Sequence, residues 1–173
     1  ATGRDPLIIF PGFELDIRYH LLCIFNPVKN GNGLTNINDL LTGMGLATSE
    51  RRKDDAPQQP RSAGKCPSLR EVLEKVQHDN EGIVIAAHAY GDKGIFNDSS
   101  NLPDFRDNLD LYAVEINQGN VNKVQNGTIA KWDRPGRHPR PAALCGSDTK
   151  SLDPTAESNT PGCRFTWIKM SKP

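Results

Sequence analysis

The sequence predicts an α/β fold with a mostly parallel sheet, on three observations. Short apolar runs recur and stop at turn residues: 7–10 (LIIF), 19–25 (YHLLCIF), 83–87 (IVIAA), 111–116 (LYAVEI) and 142–146 (AALCG). Runs of this kind suit strands covered on both faces, as parallel strands are. Segments with helical spacing lie between several of them, and alternating strands and helices are the pattern of a parallel sheet. At 173 residues the chain has room for one domain with a real core, and not for two comfortable ones.

Charge narrows the classes of partner. Lysine plus arginine balance aspartate plus glutamate at 21 each, so no global field draws the chain to nucleic acid or membrane. No apolar stretch is long enough to span a bilayer, and the first residues carry no signal-peptide pattern. Cys23, Cys66, Cys145 and Cys163 are scattered without Cys-x-x-Cys spacing. They read as buried reduced thiols of a cytoplasmic protein with no membrane partner, and not as a disulfide framework.

Taken in order, residues 7–10 form a strand closed by a Pro11-Gly12 turn, with Glu14 immediately after. Residues 19–25 form the next strand, stopped by Asn26-Pro27. Glu14 and His20 share a face if one strand carries both, and approach each other across a hairpin if Asp16 to Arg18 turns. Residues 35–45 read as a short helix. The polar stretch 49–65 has the composition of a mobile insertion. Ser68-Leu-Arg-Glu71 is a capping box, and Leu69, Val72, Leu73 and Val76 follow at helical spacing, so an amphipathic helix runs over about 68–80. It leads into the strand 83–87, with His88 where that strand stops and a glycine-rich turn beyond. A small helix or turn near 102–109 precedes the strand 111–116, which carries Glu115 near its end. Residues 120–131 read as helix, 134–141 as a basic, proline-rich loop, and 142–146 and 163–170 as strands. His78, on the polar side of its helix, reads as a surface residue.

Glu14, His20, His88 and Asp148 thus stand at strand ends, with Glu115 a possible further member. In α/β folds the carboxyl ends of strands collect ligands and catalytic groups. Histidine and carboxylate donors without a thiolate suit zinc, manganese or iron, and do not make a closed structural zinc site. Each residue also has an ordinary explanation: a turn carboxylate, a half-buried strand residue, a core histidine, a helix cap. Gly64-Lys65 lacks the spacing of a phosphate-binding loop. Arg137 and Arg140 could hold phosphate groups, or belong to a solvated loop.

Pro-Gly-Phe-Glu14, His20-Leu-Leu-Cys-Ile-Phe, Ile-Ala-Ala-His88 and Cys-Gly-Ser-Asp148, in that order, resemble motifs II to IV of the PHP (polymerase and histidinol phosphatase) family. The closing Gly162-Cys-Arg-Phe-Thr-Trp-Ile-Lys169 is similar to the branch in which a PHP domain precedes an SMC-like ATPase, the TrlF-type proteins. The resemblance implies a distorted seven-stranded β/α barrel with mostly parallel strands. It also implies a divalent metal cluster at the strand ends and hydrolysis of phosphoesters, with nucleic acid or another phosphorylated substrate and the ATPase region of the same parent as partners. Glu14, His20, His88 and Asp148 would be its metal ligands. Two departures stand out. The family opens with a His-x-His strand, and no histidine precedes Glu14, so the chain reads as a single-domain fragment, residues 1–173, of a longer protein, weak or inactive alone. The family's last motif carries histidine where this chain has Lys150. An ammonium has no lone pair and cannot ligate a metal, so Lys150 would serve catalysis by placing positive charge on a substrate phosphate, or would mark a site that has lost a metal. The alternative is a catalytically degenerate PHP module that docks nucleic acid or the ATPase.

Overall fold

Residues 10–26, 33–46, 66–116, 120 and 141–146 are described by the computed structural model of the chain. Among these residues the fold is mixed α/β, with five strands and three α-helices. It divides into two units, Ala1–Val84 and Ile85–Pro173. The segments 7–9, 49–65, 121–131 and 163–170, and with them Arg137, Arg140, Asp148 and Lys150, lie outside the described residues.

In the first unit β1 (Gly12–Asp16) and β2 (His20–Ile24) form an antiparallel hairpin in register from Gly12 opposite Ile24 to Asp16 opposite His20. Side chains alternate across such a pair. Leu15, Leu21 and Cys23 are buried on one face, while Glu14, Asp16, His20 and Leu22 occupy the other, more open face. The expected Pro11-Gly12 turn is not there. Gly12 begins β1, and the Pro11 carbonyl accepts from Phe25 N–H at 2.9 Å, extending the ladder. Proline lacks a donor but keeps its acceptor, so it can flank an edge strand. Strand pairing here overrides local turn chemistry, and the chain reverses instead at residues 17–19.

Two α-helices lie among the described residues of this unit. α1 (Gly33–Gly43) buries Ile37 and Leu41. α2 (Leu69–Leu73) starts at a complete capping box: Glu71 N–H donates to Ser68 Oγ at 3.3 Å, and Ser68 N–H donates to Glu71 Oε2 at 2.7 Å. Leu69, Val72, Leu73 and Val76 are all buried, each contributing about 1.5–3 kcal/mol relative to exposure. The helix is shorter in α form than its pattern predicts. From Glu74 to His78 it widens to a π-helical turn, closed by Asp79 N–H on the Glu74 carbonyl at 2.9 Å. Gln77 Oε1 then accepts from Val84 N–H at 3.1 Å, tying the helix to the strand that follows it.

That strand, β3 (Ile83–Ala86), ends in the second unit. Ile83 is 54 % exposed, so the strand is covered on both faces only from Val84 onward. β3 pairs in parallel with β4 (Ala113–Glu115), Ile85 opposite Ala113, and β4 pairs in parallel with β5 (Ala142–Leu144), Glu115 opposite Leu144. The parallel sheet of the sequence pattern is therefore present in this unit, and the hairpin is the antiparallel exception. Between β3 and β4, α3 (Leu102–Asp107) buries Phe105, whose ring meets Phe96 edge-on at 4.8 Å; the Tyr90 ring lies tilted against Phe96 at 5.0 Å. Such aromatic pairs add about 0.5–1.5 kcal/mol beyond the area they bury.

Cys23, Cys66 and Cys145 are free thiols. Cys23 and Cys145 are buried as expected, whereas Cys66, in the stretch before α2, is exposed, with its thiol donating to the Ile17 carbonyl at 3.0 Å.

Candidate functional site

The first unit brings two predicted residues together. Glu14 lies in the middle of β1 and His20 opens β2, so neither stands at the carboxyl end of a strand as the sequence pattern suggested. They meet because both occupy even positions on the open face of a hairpin. His20 Nδ1 is 2.6 Å from Glu14 Oε1, with the histidine side chain 22 % and the glutamate 48 % exposed. His20 Nε2 faces Asp16 Oδ2 at 3.8 Å. Asp16 was not among the predicted residues. Its signal was available, since it shares the even spacing of Glu14 and His20.

The second unit brings together another two. His88 follows β3 by two residues, in a turn where Gly91 N–H donates to the His88 carbonyl at 2.6 Å and Phe96 N–H to the Ala89 carbonyl at 2.8 Å. His88 has φ +30, a left-handed conformation that side chains beyond glycine seldom adopt. Such a backbone costs about 1–3 kcal/mol and persists only where its surroundings hold it. Glu115, the last residue of β4, supplies that hold. Its Oε2 accepts from His88 N–H at 3.0 Å, and its backbone carbonyl accepts from Ala89 N–H at 2.8 Å. Gly146, just beyond β5, leaves space for the same carboxylate: a Cβ there would stand 2.9 Å from Glu115 Oε1. Further along the turn, a Cβ on Gly94 would collide with the carbonyl groups of Ala89 and His88.

Tyr90 is a second residue that sequence reasoning passed over. Its Oη is buried without a hydrogen-bond partner among the described residues, and burial pushes the phenol up to about 12. An open hollow of about 390 Å³ in the first unit, bounded by Met44, Cys66, Glu71 and Lys75 among others, contains none of the predicted ligands. Asp148, Lys150, Arg137 and Arg140 lie outside the described residues.

The donor chemistry fits a divalent metal. Glu14 and His20 offer an oxygen and a nitrogen on an accessible face, without thiolate, as zinc, manganese or iron accept. Donors sharing one zinc at bond lengths of about 2.0–2.1 Å stand roughly 3 Å apart, a small opening of the present pair. Among the described residues no helix is long and apolar enough to cross a membrane. Protein-family models, curated proteins and solved structures were compared with the chain, and none matches.

Proposed function

We propose that this chain is a PHP-type, metal-dependent phosphoesterase module with a distorted β/α barrel, nuclease-like and cytoplasmic, in a parent that also carries an SMC-like ATPase region. Glu14, His20, His88 and Asp148 are its metal ligands, and zinc, manganese or iron its cofactor. The observation that carries this most is the pairing of Glu14 with His20 on the open face of the hairpin, at 2.6 Å. A histidine–carboxylate contact with the glutamate open to solvent contributes little, about 0–1 kcal/mol, so stability gives little reason to hold an imidazole and a carboxylate there.

Bound metal would bring the pKa of a water toward neutrality and stabilise charge on a phosphoryl oxygen. The chain's own residues do the positioning. Glu14 and His20 present donors from paired strands, so the hairpin ladder sets their separation. Asp16 lies 3.8 Å from the other ring nitrogen of His20, beyond hydrogen-bond length, and adds negative charge beside the ring. Lys150 offers three donors to the non-bridging oxygens of the phosphate, and Arg137 and Arg140 add positive charge for a longer phosphorylated substrate.

Lys150 in place of the family's histidine also favours a second reading, in which the module has lost hydrolysis and docks nucleic acid or the ATPase region. Hydrolysis of bis-p-nitrophenyl phosphate and of a labelled single-stranded oligonucleotide, with manganese or zinc present, separates the two. Loss of hydrolysis in His88→Ala and Asp148→Ala, with the circular dichroism spectrum retained, supports the enzyme. A wild-type chain joined to its upstream sequence that binds the oligonucleotide but hydrolyses neither substrate supports docking.

A further inference from the structure

We infer that Glu115 is a positioning residue for His88 and not a ligand in its own right, an inference that rests on the metal-site reading of His88. The geometry lies wholly within the second unit. Two consecutive backbone N–H groups, those of His88 and Ala89, are gripped by one residue: the first by the Glu115 side chain at 3.0 Å, the second by the Glu115 main chain at 2.8 Å. Buried or half-buried N–H groups in a turn need acceptors, and here a single strand end supplies both. A carboxylate accepting from an amide makes a charge-assisted bond, stronger than a neutral one. The grip falls on a residue with φ +30, so it selects the backbone conformation that directs the His88 side chain. Gly146 is part of the device. Parallel pairing sets Glu115 opposite Leu144, two residues before Gly146, and a Cβ at Gly146 would stand 2.9 Å from Glu115 Oε1, so the carboxylate would have to shift.

Residues that orient a metal-ligating histidine typically contribute about 10–100-fold to metal affinity without touching the ion. Four variants test the inference: Glu115→Gln, Glu115→Ala, Gly146→Ala and His88→Ala. Two readouts are needed, amide hydrogen exchange at His88 and Ala89 by NMR, and calorimetric titration with zinc. Glu115→Gln keeps a carbonyl oxygen that accepts from His88 N–H. It should keep His88 protected and bind zinc within a few-fold of wild type. Glu115→Ala and Gly146→Ala should each speed exchange at His88 at least tenfold and weaken zinc by about 10–100-fold. The Gly146 variant matters because it crowds Oε1 of the carboxylate without removing the group. The inference is overturned if Glu115→Gln abolishes zinc binding as fully as His88→Ala while His88 stays protected, since Glu115 is then a ligand. It is also overturned if exchange at His88 is unchanged in both Glu115→Ala and Gly146→Ala. Should the wild-type chain bind no zinc, the phosphoesterase reading fails, and amide exchange alone still decides whether Glu115 holds the turn.

Discussion

His20 Nδ1 reaches Glu14 Oε1 at 2.6 Å along a diagonal of the hairpin, not straight across it. Directly opposite Glu14 is Leu22, and directly opposite His20 is Asp16. Diagonal neighbours on one face of an antiparallel pair are within reach of long side chains, and the glutamate spans the gap. One ring thereby meets carboxylates on both of its nitrogens. That is an acceptor-rich corner on a solvent-facing surface, and it sets the first prediction.

Glu14→Gln should change unfolding free energy by less than about 1 kcal/mol, the range of contacts open to solvent, and Glu14→Gln and His20→Ala should each lower affinity for zinc or manganese at least tenfold. Urea unfolding and metal titration on the same preparations check both halves. A loss above about 3 kcal/mol with unchanged metal affinity would make the pair structural.

Ser68→Ala should destabilise the first unit by about 1 kcal/mol, through loss of the acceptor for Glu71 N–H. Acid unfolding adds a signed test. The Ser68 backbone N–H and hydroxyl hold the Glu71 carboxyl below its ordinary value of 4.5. Its contribution is fully present above that value and fades as pH falls through the lower folded one. Glu71→Gln should flatten the stability profile below pH 4.5 and leave the shape near neutrality unchanged, whereas Ser68→Ala, which keeps the backbone N–H and removes only the hydroxyl, should flatten it in part.

Thiol chemistry should separate the cysteines. Burial pushes the Cys23 thiol up to about 12, whereas Cys66 is exposed. Reactivity follows the thiolate and its access. Iodoacetamide at pH near 8, followed by peptide mass spectrometry, should label Cys66 in the native chain and Cys23 only after unfolding. Equal labelling of both would contradict the packing of β2.

Gly94→Ala should cost about 2–3 kcal/mol, because the new methyl meets the carbonyl groups of Ala89 and His88, which are backbone and cannot swing away. Thermal unfolding reads the loss directly. An unchanged midpoint would mean that the turn after His88 does not pack as described.

Local signals were the legible ones. Ser68 and Glu71 are three residues apart, and Leu69, Val72, Leu73 and Val76 mark one helix face, so the cap and the buried stripe follow from spacing alone. The parallel strands carrying Ile85, Val114 and Ala143 were visible as apolar runs. Pro11-Gly12 misled because turn propensity is local, while its outcome depended on pairing with Phe25. The widening of the helix after Leu73 has no sequence mark that we can name. For the site, Glu14 and His20 were found by residue type and even spacing. The grip of Glu115 on His88 was not, since it exists only once β3 and β4 lie parallel with Ile85 opposite Ala113.

Calorimetric titration of the metal-free chain with zinc and with manganese, repeated on His20→Ala, His88→Ala and Asp148→Ala, tests the proposed metal site. The metal-site account predicts that the wild-type chain binds at least one divalent ion and that each substitution weakens binding at least tenfold while circular dichroism stays unchanged. A wild-type chain that binds neither ion, or three variants that bind as wild type does, would contradict it.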